Sequence, residues 1–218
     1  MTGTLFAVGV GPGDPELITI KAVNVLKKAD IIACPVRGTD PGYAYQIASV
    51  AVPELTAKEK LLLDFPMGEG DQSTAHNEGA KRIIAALESG NDVAFVTLGD
   101  PCFYSSFGYI SKIIRDSGFN VEIVSGIPSF CAVPAKLKLM MAQGKESVMI
   151  TAGDYRDFDG TLIILKAGRN LTGLKEKIKE KGKSAYLVEN CGMPDEKVYR
   201  GIQSIPDEAG YFSILIVQ

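Results

Sequence analysis

Two apolar runs in this chain stop at the same kind of turn. Residues 4–15 read TLFAVGVGPGDP and residues 92–101 read DVAFVTLGDP, so each run ends abruptly in Gly-Asp-Pro. An apolar strand that does not alternate is one buried on both faces. Gly supplies backbone shapes that other residues resist, Asp is a strong helix N-cap, and Pro fits the first helical position. Both turns therefore read as strand-to-helix turns, with Asp14 and Asp100 expected to cap the helices that follow. A third segment, SGIPSF at 125–130, leaves another apolar strand. If the three strands are parallel, their carboxyl ends share one edge, where doubly wound sheets bind their ligands.

The rest of the first half keeps this alternation. A strand over Leu5 to Val10 precedes a helix marked by Leu17, Ile20, Val23 and Leu26. Asp30 to Cys34 reads as a short strand closed by Pro35, and PVRGTDPG (35–42) as a loop. Tyr43 to Val50 is a short helix, Leu61 to Leu63 a strand, and 65–71 a loop. Ala80, Ile83, Ile84 and Leu87 mark a helix ending near Gly90, followed by the strand Val93 to Leu98. Phe107, Ile110 and Ile114 mark the next helix, and Val121 to Val124 the next strand. Strands and helices in alternation predict a parallel sheet covered on both faces.

Beyond residue 125 strands outnumber helices. A helix is expected over 128–138, strands at 147–151, 161–165, 184–189, 197–200 and 211–217, and one further helix carrying Leu171, Leu174 and Ile178. The fold class is α/β. A doubly wound, mainly parallel N-terminal domain is expected over 1–125, and a C-terminal α/β domain with a mixed sheet over 126–218.

With 218 residues, 46% of them hydrophobic, the chain has material for two cores. Its 23 Lys and Arg against 26 Asp and Glu give a net charge of −3, which argues against nucleic acid as a partner. No apolar run has membrane-spanning length and the N-terminus lacks a basic, then apolar, leader, so a cytoplasmic protein is expected. Cys34, Cys102, Cys131 and Cys191 lie far apart and His76 is the one histidine, so neither a metal site nor a disulfide framework is expected. Each cysteine is expected to be buried or half-buried. Cys102 has no base near it in sequence to make it a nucleophile. His76, in the polar stretch STAHNEG, is expected to be solvated.

The glycine-rich turn is not a dinucleotide fingerprint. Glycines at 9, 11 and 13 miss the G-x-G-x-x-G spacing, and the second strand ends in Cys34-Pro35 rather than an acid. Phosphate fits poorly as well, because the turns hold two aspartates and no Lys or Arg. The GKS at 182–184 sits between a helix and a strand, the reverse of the P-loop order, and G-x-S-x-G is absent. A cationic ligand with an adenine ring suits such turns better, which describes S-adenosylmethionine.

GVGPGDP at 9–15, LGDP at 98–101 and SGIPSF at 125–130, in that order and spacing, resemble the tetrapyrrole methylase family of S-adenosylmethionine-dependent enzymes. The resemblance implies two α/β domains with the cofactor between them, and a homodimer. GDPCFYSSF at 99–107, FPM at 65–67 and YFSILIV at 211–217 are similar to the branch that methylates precorrin-2, or cobalt-precorrin-2, at C-20 in cobalamin biosynthesis. The chain departs from the family pattern at Ser125, where a Pro is usual, and at Pro128, where a Ser or Thr is usual. Carried over by motif, the resemblance implies that Pro12, Leu98, Gly99, Asp100, Phe103, Ser129, Phe130, Lys166 and Cys191 bind the cofactor. It implies that Arg37, Met67 and Tyr104 meet the tetrapyrrole, with Tyr104 and Ser105 nearest the reacting carbon. No metal in the protein is implied; any cobalt arrives with the substrate. Methylation at another ring position, or a non-catalytic nucleotide-binding role, stays open at this point.

Overall fold

The computed structural model describes residues 2–36, 40–65 and 73–218. The chain forms two compact units, one ending at Pro128 and one running from Ser129 to Gln218. In the first unit the order is β1 (Leu5–Gly9), α1 (Ile20–Lys28), β2 (Ile31–Val36), α2 (Gly42–Ala51), β3 (Glu59–Asp64), α3 (Ser73–Glu88), β4 (Val93–Thr97), α4 (Phe107–Asp116) and β5 (Val121–Val124). The strands form one parallel sheet in the order β3-β2-β4-β1-β5.

Both faces of this sheet are buried, which is why its inner strands read as unbroken apolar runs. Val8 of β1 and Ala94 and Val96 of β4 point into a core with Ala22 and Leu26 of α1 and Ile47 and Ala48 of α2. Leu5 and Ala7, Val93 and Phe95 point the other way, onto Ile83 and Leu87 of α3 and Phe107 and Ile110 of α4. The alternation of side chains along a strand thus divides each run between two cores. The helices after β1 and β4 lie on opposite faces while these two strands are neighbours. This is the topological switch point of an open α/β sheet, the edge at which such sheets bind their ligands.

The second unit runs α5 (Ser129–Leu137), β6 (Val148–Ala152), β7 (Thr161–Leu165), α6 (Leu171–Glu180), β8 (Ala185–Glu189), β9 (Lys197–Arg200) and β10 (Ser213–Val217). Its sheet, β6-β7-β10-β8-β9, is mixed: β6 and β7 are parallel, while β10 is antiparallel to β7 and β8. Leu171, Leu174 and Ile178 of α6 close a core with Leu162, Ile164, Leu187 and Leu215.

Four local expectations need correction. Asp14 caps only a single 3-10 turn, Pro15–Leu17, by accepting from the Glu16 N–H at 2.9 Å. Ile18 then turns extended, and α1 starts afresh with Thr19 as its cap, Oγ1 accepting from the Ala22 N–H at 3.2 Å. The strand β2 runs through Pro35 to Val36: its pairing with β4 ends at Ala33, so the missing N–H of Pro35 breaks nothing on that side. Cys102 and Cys131 are exposed, whereas Cys34 and Cys191 are buried, the Cys34 thiol being pushed up to about 12 by its burial.

The fourth is His76, which is buried at 6% exposure rather than solvated. It lies four and seven residues before the buried Ala80 and Ile83, on the inward stripe of α3. Its ring stacks on Tyr109 at 4.8 Å between centroids and tilts against Phe65 at 5.3 Å, and its Nε2 has no hydrogen-bond partner. Burial disfavours the imidazolium and lowers the pKa of this group below its ordinary 6.5. A depressed pKa of a base means that the unfolded chain takes up the proton first. Stability is therefore full above the unfolded value of 6.5 and falls as pH drops below it. As the single histidine, His76 gives one resolved imidazole signal for an NMR titration. Its midpoint should lie below 6.5, and the stability lost to urea between pH 7 and pH 5.5 should shrink in His76→Phe.

Candidate functional site

The carboxyl ends of β1, β4 and β5 meet in a main-chain junction. Gly99 N–H donates to the Gly11 carbonyl at 2.7 Å, and Gly11 N–H donates back to the Gly99 carbonyl at 3.3 Å. Both glycines hold positive φ, 86° at Gly11 and 73° at Gly99, a region that side chains resist. A Cβ on Gly9 would lie 2.6 Å from the Gly99 oxygen and 2.7 Å from the Gly126 nitrogen. A Cβ on Gly126 would strike the Gly99 oxygen more closely still. The three sequence motifs are therefore one packed object, glycine against glycine.

Asp100 fastens the junction. Its carboxylate, 7% exposed, accepts from the Cys102 N–H through Oδ1 at 2.8 Å and from the Gly126 N–H through Oδ2 at 3.0 Å. The side chain expected to cap α4 instead joins the β4 turn to the segment leaving β5. The helix α4 begins seven residues later, at Phe107, whose N–H goes to Ser105 Oγ at 3.2 Å. Thr19 adds a further tie, donating to the Ser125 carbonyl at 3.3 Å.

Around this junction lie the other expected residues of the first unit. Pro12 and Gly99 are buried and Leu98 half-buried, while Phe103 and Tyr104 are 48% and 53% exposed. Tyr104 sits at φ 51°, an uncommon conformation for a bulky residue that costs on the order of 1–3 kcal/mol. Ser105 shares its hydroxyl between Thr97 Oγ1, at 3.1 Å, and the start of α4. The Cys102 thiol is pushed up by desolvation and then by the neighbouring Asp100 carboxylate, against any thiolate role. Arg37 and Met67 lie outside the described residues.

The remaining expected residues belong to the second unit. Ser129 and Phe130, both half-buried, are the first two residues of α5. Pro128 stands just before this helix, where a missing N–H breaks no helical bond. Lys166 follows β7 and Cys191 lies two residues past β8. Since β7 and β8 are each antiparallel to β10, they end at the same sheet edge. Residues that sequence reasoning missed include Thr19 and Gly126, which build the junction, and Tyr211 and Arg169 in the second unit. Gly126 was visible inside SGIPSF, but nothing in the sequence showed what its missing side chain makes room for.

Residues 4–203 match the family of Tetrapyrrole (Corrin/Porphyrin) Methylases, and the chain belongs to that family. It is 35% identical over 204 residues to a probable cobalt-precorrin-2 C(20)-methyltransferase of Methanocaldococcus jannaschii, covering 90% of this chain and 86% of that protein. It is 28% identical over 236 residues to a precorrin-2 C(20)-methyltransferase of a Sinorhizobium species, covering 99% and 95%. Its fold is shared with the uroporphyrin-III C-methyl transferase of Thermus thermophilus solved with S-adenosylhomocysteine. That comparison has a TM-score of 0.73 at 20% identity, over 99% of this chain and 97% of that one.

The junction has a measurable consequence. Asp100→Asn exchanges one acceptor oxygen for a donor, so one of two main-chain N–H groups is left unsatisfied, at a cost of about 1–3 kcal/mol. Gly126→Ala forces main chain apart, with a loss of similar size, about 1–3 kcal/mol. Asp14→Asn, at an exposed turn where Asn caps as well as Asp, should stay within about 0.5 kcal/mol of the parent. Urea denaturation of the three variants checks the ranking.

Proposed function

We propose that this protein is an S-adenosylmethionine-dependent C-methyltransferase of cobalamin biosynthesis, acting at C-20 of precorrin-2 or cobalt-precorrin-2. The observation that carries this reading is the 35% identity, over nine-tenths of the chain, to a relative named for that reaction. The chemistry of the junction supports it. The segments 9–14, 97–106 and 125–130 contain no Lys or Arg, so they offer nothing to a phosphate. They offer main chain at Pro12 and Leu98, beside the paired Gly11 and Gly99, an apolar wall at Leu98, and an exposed aromatic ring at Phe103. That set fits an adenosyl group, which needs polar main chain for its ring edge and an apolar or aromatic surface for its face.

S-adenosylmethionine, when bound, supplies a methyl group already activated by its sulfonium. The task left to the protein is alignment and the exclusion of water. Pro12, Leu98, Gly99, Phe103, Ser129, Phe130, Lys166 and Cys191 are the residues proposed to hold the cofactor, Lys166 through its main chain and not its ammonium. Asp100 acts through the main chain, since both of its oxygens accept N–H groups of the protein. The methylated carbon must also lose a proton. Tyr104 is the proposed group beside it, ahead of Ser105, whose hydroxyl already serves Thr97 and α4. Arg37 and Met67 are proposed to meet the macrocycle. The working form in this reading is a cytoplasmic homodimer; among the described residues no helix is long and apolar enough to cross a membrane.

Incubation with S-adenosylmethionine and either precorrin-2 or cobalt-precorrin-2, without oxygen, tests the assignment. Mass spectrometry and NMR should find one added methyl group, at C-20, and the faster substrate separates the metal-free from the cobalt route. Cofactor binding with no methylation of either would redirect the search to another acceptor. Tyr104→Phe should lower kcat by about 10²-fold with S-adenosylhomocysteine affinity retained, whereas Ser105→Ala should act mainly on stability.

A further inference from the structure

Two cations of the second unit stand over one aromatic ring. Lys166 Nζ lies 5.4 Å from the centroid of the Tyr211 ring, and Arg169 Cζ lies 5.3 Å from it. Both are within the range of a cation–π contact. Neither forms an ion pair with a described carboxylate, whereas Lys175 pairs with Asp207 and Lys181 with Asp157. Two like charges on one ring repel each other, and chain entropy favours letting such side chains drift apart. Something in the fold must hold the backbone that brings them together.

That support is visible. Lys166 adopts a left-handed φ of 57°, which turns the chain sharply at the end of β7. Two residues on, Gly168 presses against the main chain of Ala209 and Gly210, where a Cβ would collide with both carbonyl oxygens. Gly210 is itself pinned. Its N–H donates to Glu189 Oε1 at 3.1 Å, and its carbonyl accepts from Ser213 Oγ at 2.6 Å. Glu189 is 8% exposed and Ser213 fully buried. The turn carrying both cations is thus clamped to the turn carrying the ring, by buried polar groups at the ends of β8 and β10.

We infer that Lys166 and Arg169, held over Tyr211, form a carboxylate-binding platform for an acidic side chain of the tetrapyrrole substrate. This rests on the proposed function, since precorrin-2 carries acetate and propionate groups. A guanidinium fork matches a carboxylate with two N–H groups, and an ammonium beside it adds a point charge. An anion that meets both cations offsets the repulsion between them, which works in favour of the bound state. Preorganisation lowers the ordering cost that two free side chains would incur on binding. Tyr211 is a positioning residue here, acting through the cations it holds.

The test uses sirohydrochlorin, the stable oxidised form of precorrin-2, as a binding probe, with S-adenosylhomocysteine titrated separately by calorimetry on the full chain. Lys166→Met and Arg169→Gln should each weaken sirohydrochlorin by about 10-fold or more, with less loss at high salt. Tyr211→Leu should weaken it as well, and Tyr211→Phe should restore it, because the ring rather than the hydroxyl holds the cations. Circular dichroism melts of each variant establish folding. Parent-like sirohydrochlorin affinity in both cation variants would overturn the inference and leave the proposed function standing. Loss confined to S-adenosylhomocysteine would also overturn it, giving the platform to the methionine carboxylate of the cofactor. Failure of the parent chain to bind sirohydrochlorin would overturn the proposed function and the inference together.

Discussion

Gly9, Gly99 and Gly126 meet main chain to main chain, and the space between them admits no side chain. Asp100 spans the contact, one oxygen on the N–H of its own turn and the other on that of Gly126. This contact sets the register of the three strand ends that form the edge of the first sheet. Because β1 and β4 send their helices to opposite faces, their ends mark the switch point of the sheet. The spacing between these strand ends and the path out of β5 follow from glycine at three positions.

The junction also decides where charge is available. A buried carboxylate is expensive unless hydrogen-bonded, and Asp100 meets that demand with main-chain donors. The first unit therefore presents main chain, one half-buried leucine and two exposed aromatic rings at its sheet edge. The charge that the sequence located in the Gly-Asp-Pro turn serves the fold. In the second unit Lys166 and Arg169 stand over Tyr211 with no ion pair to a described carboxylate.

The architecture was legible because burial on both faces leaves a plain trace. Val93 to Leu98 and Leu5 to Val10 could be read as inner strands, and the helices at 107–116 and 171–180 showed their inward stripes. Strand β7 at 161–165 and strand β9 at 197–200 have the limits that their patterns predict. What failed depended on partners far away in sequence. Asp14 and Asp100 looked alike, yet one closes a local turn and the other reaches 26 residues ahead to Gly126. Pro35 seemed to end β2 because the sequence does not show that the neighbour on one side has already stopped. His76 read as polar because its neighbours Thr74 and Asn77 are polar. The spacing to Ala80 and Ile83 carried the correct message, and the ring of Tyr109 that covers it comes from another helix. Tyr211 fell inside an expected strand, but β10 starts at Ser213, which leaves the tyrosine in a turn with its ring available to Lys166 and Arg169.

The failed expectation at Asp100 explains the shape of the site better than the successful ones do. Had Asp100 capped α4, the helix would begin beside the strand end and residues 101–106 would lie on its first turn and a half, with their N–H groups and side chains committed to helical packing. Because the carboxylate is drawn to Gly126 instead, α4 starts only at Phe107 and the intervening residues form a loop. A loop of that length is long enough to carry Phe103 and Tyr104 out to solvent, and Tyr104 takes a left-handed conformation that no helix would accept. Ser105 then supplies the helix start that Asp100 does not, its hydroxyl accepting from the Phe107 N–H. One long-range hydrogen bond from a carboxylate thus holds the sheet edge together and frees the aromatic segment beside it.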